Sequence, residues 1–266
     1  MDPQTGERKG YNLSVKPSEV PDTFLQTVCS ELYVELLNTT RPEQGEHEEG
    51  LAEKKQAANH AAFKIIFADG YETSKGMRLE IYLSNEYESE SGSIDGRQVI
   101  FEWGDLIARP FPSSGHSSKS LWTGSLPIDR SWTVGAVIRL LLETKASRFQ
   151  FVCINNKYFG CRDWITQAIY LMHKHGFIQS TEIAKVLAGP DLQVTSIYEA
   201  LGLRFDYRGR ISASPIDKGR FPDRIRHQSP LMPYQGSQRA LELAELIARS
   251  PLHVSHGQNL DKDIGQ

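Results

Sequence analysis

Between Gly160 and Gly176 the apolar residues Cys161, Trp164, Ile165, Ala168, Ile169 and Met172 fall at i, i+3, i+4, i+7, i+8 and i+11. That spacing lines one face of an α-helix, and a helix with one apolar face has to cover something. What it covers is set by the first half of the chain, where the apolar period is two. Leu32, Val34 and Leu36 alternate with Glu31, Tyr33 and Glu35. Ala61, Phe63, Ile65 and Phe67 alternate from His60 onward, and Met77, Leu79, Ile81 and Leu83 repeat the pattern. Such runs predict strands with one buried face.

The connection holding Asp69-Gly70 predicts a hairpin with a long turn. Gln98 to Trp103 and Phe149 to Ile154 add two strands, while Arg41 to Lys55, Glu86 to Asp95 and Arg109 to Ser120 read as surface loops. Thr133 is placed to cap a helix striped by Val134, Val137, Ile138, Leu141 and Leu142. Ser180 or Thr181 would cap a short helix ending at Gly189-Pro190, and Val194 to Leu201 predicts another. Together these elements predict an α+β fold in which an antiparallel sheet is packed by a cluster of helices.

Hydrophobic residues make up 39% of the 266, so part of the chain is expected outside the core. Residues 1–23, polar and holding Pro3, Pro17 and Pro21, read as a flexible N-terminal tail. Residues 24–203 read as a single α+β domain, and 204–266 as a basic, partly helical C-terminal extension with its helix at Arg239 to Arg249. A formal charge of −3 gives the whole protein no electrostatic pull on nucleic acid or on a membrane. No apolar run approaches the roughly 18 residues of a membrane span, and Met1 to Lys9 lack the apolar core of a signal peptide. The expectation is a cytoplasmic protein with reduced thiols and no membrane partner. The oligomeric state is not legible.

The chemistry-bearing pair is His60, on a strand, and Cys161, at the first turn of the helix about a hundred residues later. A nucleophilic thiol has to ionise near neutral pH, and a helix N-terminus favours the thiolate with partial positive charge and unused backbone N–H groups. Those groups can also hold an oxyanion. An imidazole alongside serves as general base and then as general acid, given a third group to orient it. Arg78, Glu80 and Tyr82 share the polar face of the hairpin with His60 and Lys64, which makes Glu80 the candidate for orienting His60. Alternation, however, points His60 away from the apolar face that the cysteine helix should cover. The two can meet only at a bulge or a strand end.

The segments Asn59-His60-Ala61-Ala62-Phe63 and Phe159-Gly160-Cys161-Arg162-Asp163-Trp164 resemble a fungal family of uncharacterised proteins that pairs a His-Trp strand with a Gly-Cys-Arg helix. Here Ala61 stands in place of the tryptophan. The His-then-Cys order is also similar to circularly permuted papain-like thiol enzymes of the lecithin-retinol acyltransferase-like group. The resemblance spans residues 26–203 and implies a permuted papain-like fold. It implies Cys161 as nucleophile, His60 as base and a cysteine-dependent acyl hydrolase or acyltransferase. The substrate would be an amide, ester or thioester, a fungal small molecule as readily as a peptide. Arg78, Tyr82, Arg162 and Trp164 are the residues expected to bind it.

Each residue also has a plainer reading. Cys161 lies on an apolar helix face and could be a core thiol, as Cys29 and Cys153 are expected to be. A binding protein that keeps the fold without the chemistry is the alternative function. A third reading is weak nucleic-acid binding: Arg204, Arg208, Arg210, Lys218, Arg220, Arg224 and Arg226 face three aspartates, after two short helices spaced loosely like a helix-turn-helix. It is the poorest of the three, since neither helix presents a basic or amide row. His173 and His175 are two apart on a helix and point to different sides, so no metal site is expected. Without a glycine-rich phosphate cradle no cofactor is expected either.

Overall fold

The computed structural model describes residues 10–38, 59–94, 97–113, 115, 117, 120–154, 157–189, 193–205, 211–213 and 216–226. In chain order the elements are β1 (Tyr11–Asn12), α1 (Asp22–Leu25), β2 (Cys29–Asn38), β3 (Asn59–Tyr71), β4 (Ser74–Leu83), β5 (Glu90–Ile94), β6 (Arg97–Phe111) and β7 (Ser120–Leu126). They continue with α2 (Val134–Glu143), β8 (Phe149–Ile154), β9 (Lys157–Phe159), α3 (Cys161–Lys174), α4 (Ile183–Ala188), α5 (Ile197–Leu201), β10 (Leu203–Phe205) and β11 (Ile211–Ala213). Among the described residues nine strands form one curled antiparallel sheet in the order β7-β2-β3-β4-β6-β8-β9, with β1 and β5 also on β6. The α+β architecture is the one the two periodicities predict.

The period-two runs become the apolar face of this sheet. Leu32, Val34 and Leu36 on β2, Ala61, Phe63 and Ile65 on β3, and Met77, Leu79 and Ile81 on β4 are all buried. Burying each larger side chain contributes about 1.5 to 3 kcal/mol. Helices α2 and α3 cover this face, and Trp164 of α3 meets the Phe63 ring edge to face, with centroids 5.7 Å apart. Thr133 caps α2 as its sequence predicts, accepting a hydrogen bond from the Ala136 N–H. The opposite face of the sheet carries Glu35, Lys64, Glu80 and Asp105, and it too is largely buried.

Several expectations are corrected. The hairpin turn is not the long one at Asp69-Gly70: β3 runs on through an irregularity until Tyr71 pairs with Ser74, and Glu72 takes φ 50° in the turn. Glu90–Ile94, expected in a loop, pairs with β6. Strand β6 extends to Phe111, well into the expected loop, because its second half is claimed by β4. Helix α4 starts at Ile183 with no side-chain cap from Ser180 or Thr181.

Residues 10–23, expected in a tail, pair Tyr11–Asn12 with β6 and bury Leu13 and Val20. The expected C-terminal extension also folds onto the body: Ile216 and Phe221 enter the core, and the Arg220 and Gln150 backbones exchange hydrogen bonds. Residues 1–9, the loop at 41–55 and the helix expected at Arg239 to Arg249 lie outside the described residues.

Candidate active site

Helix α3 begins at Cys161 because Gly160 precedes it with φ 120°, a conformation that side chains resist. The opening is also sterically closed, since a Cβ on Gly160 would stand 2.9 Å from Gly219 Cα and from Phe149 Cζ. Cys161 therefore stands at the N-terminal end of α3, where backbone N–H groups are unused within the helix and the macrodipole is positive. Cys161 is half-buried, whereas Cys29 and Cys153 are core residues.

Helix α3 meets β3 at a place where the sheet opens. The β3–β4 ladder ends at Phe63 and Leu79, although β3 extends back to Asn59 and β4 on to Leu83. His60 keeps to the polar face with Glu80 and Tyr82, and the parting leaves room for the first residue of α3 beside it. The His60 Nε2 lies 2.8 Å from Glu80 Oε2, and its ring meets Tyr82 edge-on with centroids 5.9 Å apart. The thiol of Cys161 hydrogen-bonds to the same imidazole and accepts from the backbone N–H of Ala61. With Nε2 committed to Glu80, Nδ1 is the nitrogen left for the sulfur. The contact at position 61 is made by backbone, so it does not depend on the side chain there.

The electrostatics favour a charged pair. Burial opposes ionising Cys161, but the hydrogen bond and charge of His60, the Ala61 N–H and the nearby Arg162 charge together hold its pKa below the ordinary thiol value. Burial likewise opposes charging His60, yet its bonds to Cys161 and Glu80 raise its pKa to about 10. For Glu80, burial raises the pKa, and His60, Arg78 and Arg109 outweigh it to keep the carboxylate ionised. Cys161, His60 and Glu80 stand in a row, and each is biased toward its charged form by the neighbour beside it.

The residues expected to bind substrate divide into two groups. Tyr82 is 53% exposed, and Arg78 stands on the same face beside Glu80. Sequence reasoning missed Arg109, whose Nε is 3.9 Å from Glu80 Oε1 and whose guanidinium lies over the Tyr82 ring. Its only signal was membership in a strand that the sequence pattern ended too early. Trp164 and Arg162 are not at the cleft. Trp164 is fully buried and donates its indole N–H to the Ala146 carbonyl at 2.9 Å. Arg162 is buried as well, donating to the carbonyls of Leu201 and Leu203, so its role is to fasten the segment after α5 to α3.

Asp163, two residues beyond the cysteine, carries a further unforeseen cluster. It is fully buried and accepts from the Tyr198 hydroxyl and the Gly219 N–H, each at 2.9 Å, and from Arg226. Arg226 also donates to the Gly219 carbonyl at 2.8 Å. The basic run is thus partly spent within the fold: Arg220 pairs with Glu90, and Arg224 reaches Gln167. In the two short helices α4 and α5, Ile183, Leu187, Ile197 and Leu201 face the core. Among the described residues no cluster could hold a metal ion, and no helix is long and apolar enough to cross a membrane.

Residues 47–221 match the family described as domain of unknown function DUF7770, and the chain belongs to it. The matched span contains His60, Glu80 and Cys161 and stops short of Arg226. No curated protein and no solved structure matches the chain.

Proposed function

We propose that this DUF7770 member is a cysteine-dependent acyl hydrolase or acyltransferase with Cys161 as nucleophile, His60 as acid and base, and Glu80 as the residue that orients the imidazole. One observation carries the reading: a thiol at a helix N-terminus hydrogen-bonded to a histidine whose Nε2 is held by a buried carboxylate. The order of a histidine strand followed by a cysteine helix supports it, being similar to that of circularly permuted papain-like enzymes.

In the reaction the Cys161 thiolate attacks the acyl carbon of an amide, ester or thioester. A C–S bond forms, and the oxyanion is met by first-turn N–H groups of α3. The His60 imidazolium gives its proton to the leaving group as the bond to it breaks. His60, now neutral, takes a proton from water or from an acceptor alcohol or amine, which attacks the thioester. The acid, or the transferred acyl product, departs, and thiolate and imidazolium are restored. Arg78 and Tyr82 flank the path of the substrate.

The test is acyl-enzyme trapping. An activated ester such as p-nitrophenyl acetate is expected to release p-nitrophenol in a burst and leave an acyl mass on the Cys161 peptide. Cys161→Ser and His60→Ala should each abolish the burst. Acylation spread over other residues, or an unchanged burst in Cys161→Ser, would refute the reading and leave a binding protein of this fold.

A further inference from the structure

Beyond Leu79 the two edges of β4 differ. Toward β6 the ladder continues, pairing Glu80 with Ile107 and Tyr82 with Asp105. Toward β3 it has ended, and His60 and Cys161 meet in the opening that results. The Tyr82 backbone is therefore fixed by a regular ladder while its side chain borders the opening.

The ring is held as well. Its centroid lies 5.9 Å from that of the His60 imidazole, with the two planes at 70°, and the Arg109 guanidinium lies over it at 5.8 Å. Yet Tyr82 is 53% exposed, while the side chains of Glu80 and His60 beside it are 3% and 18% exposed. A cleft whose acid and imidazole are covered thus presents one large apolar surface to solvent, ordered in advance by its neighbours. An aromatic ring already in place loses little conformational freedom when a ligand packs on it.

The chemistry decides which part of a substrate arrives there. Once the Cys161 sulfur has attacked, the leaving atom has to come within about 3 Å of the His60 nitrogen that gives it a proton. The leaving group is thus the half of the substrate that lies along the imidazole, and its next atoms fall against the ring that touches the imidazole. Resting on the thiol reading above, we infer that Tyr82 selects the leaving group, and that the substrate is an ester, thioester or amide of an alcohol, thiol or amine bearing an aromatic ring, which packs on the exposed side of Tyr82. As His60 protonates the leaving atom, the bond from that atom to the acyl carbon breaks. The ring-bearing alcohol, thiol or amine departs, and the acyl group stays on Cys161. In acyl transfer a ring-bearing acceptor enters by the same place and gives its proton to His60.

The test varies one half of a thioester at a time on the full-length protein. S-benzyl and S-cyclohexylmethyl thioacetate carry a flat or a saturated ring in the leaving thiol. Each rate is referred to that with N-acetylcysteine, which removes the difference in leaving-group reactivity. We expect kcat/KM to favour the benzyl compound by about two- to tenfold over this reference, the scale of an aromatic pair. The preference should persist in Tyr82→Phe and vanish in Tyr82→Leu, which keeps apolar bulk without a π face. No preference in the unaltered protein, or an unchanged one in Tyr82→Leu, overturns the inference while the acyl-enzyme stands. The S-ethyl thioesters of phenylacetic and cyclohexylacetic acid move the ring to the acyl half. There the flat ring should have no advantage that Tyr82→Leu removes; such an advantage would put Tyr82 on the acyl side and overturn the inference. Failure of every thioester to acylate Cys161 removes the thiol reading and this inference with it.

Discussion

His60 Nε2 and Glu80 Oε2 lie 2.8 Å apart at the point where β3 and β4 stop pairing. The bond spans two strands of one hairpin that have parted, so it bridges an opening in the sheet and is not part of its regular ladder. It turns the imidazole toward the first residue of α3 and ties the charge state of the thiol to that of a buried carboxylate.

Thiol reactivity follows from that coupling. Cys161 is expected to alkylate faster at neutral pH than Cys153 or than Cys29, whose thiol burial pushes up to about 12. Quantitative peptide mass spectrometry after brief iodoacetamide treatment checks this. Equal labelling of all three in the folded protein would count against the site.

The pH dependence has a definite sign on each side. Folding favours the ionised Cys161 and Glu80, so their contribution is present at high pH and lost as pH falls through their lowered pKa values. Folding favours protonated His60, so its contribution is complete below about 6.5 and lost as pH rises through about 10. Activity should therefore show an acid limb from thiolate protonation and an alkaline limb near pH 10. In Glu80→Gln the alkaline limb should move to lower pH, because His60 loses a partner that raises its pKa. A pH–rate profile with an unmoved alkaline limb would remove Glu80 from the site.

Replacing His60 by alanine should lower acyl transfer by about 10² to 10⁴, the usual range for a proton-transfer group. The thermal midpoint should change little by comparison. A large loss of stability with retained activity would mark His60 as a packing residue.

Asp163 is expected to matter for stability and not for the chemical step. Asp163→Ala removes the carboxylate shared by the partly buried Arg226, the Tyr198 hydroxyl and the Gly219 N–H, at a cost of about 3 kcal/mol. Urea denaturation measures it. Deleting residues 204–266 should destabilise the body as well, since it removes Ile216 and Phe221 from the core.

Trp164→Ala should cost about 3 to 5 kcal/mol through the cavity left beside Phe63, with the Ala146 carbonyl losing its donor. KM for any acyl substrate should be little affected where the variant remains folded. A specific rise in KM without loss of stability would return Trp164 to the cleft.

Local patterns were sufficient for β2, β3 and β4, for helices α2 and α3, and for singling out the candidate residues. The six-residue apolar stripe of α3, the Thr133 cap and the period-two runs of β2, β3 and β4 depend on neighbours a few positions away, and a sequence displays those directly. Glu80 was legible for the same reason, sharing a strand face with Arg78 and Tyr82. Glu90–Ile94 was not legible as a strand, because an edge of Glu, Ser and Gly with both faces partly exposed carries no alternation. What only the tertiary structure decided are relations between distant segments. The end of the β3–β4 ladder at Phe63 and Leu79 let the first residue of α3 reach His60 on the polar face, which strict alternation had placed away from that helix. Burial sent Trp164 and Arg162 inward, since a helix start wedged between a sheet and a returning chain leaves one narrow side open. The return of residues 216–226 onto Asp163, Phe149 and Gln150 made a basic stretch part of the core, because a buried aspartate needs a cation and the charge nearest in space lies 63 residues away.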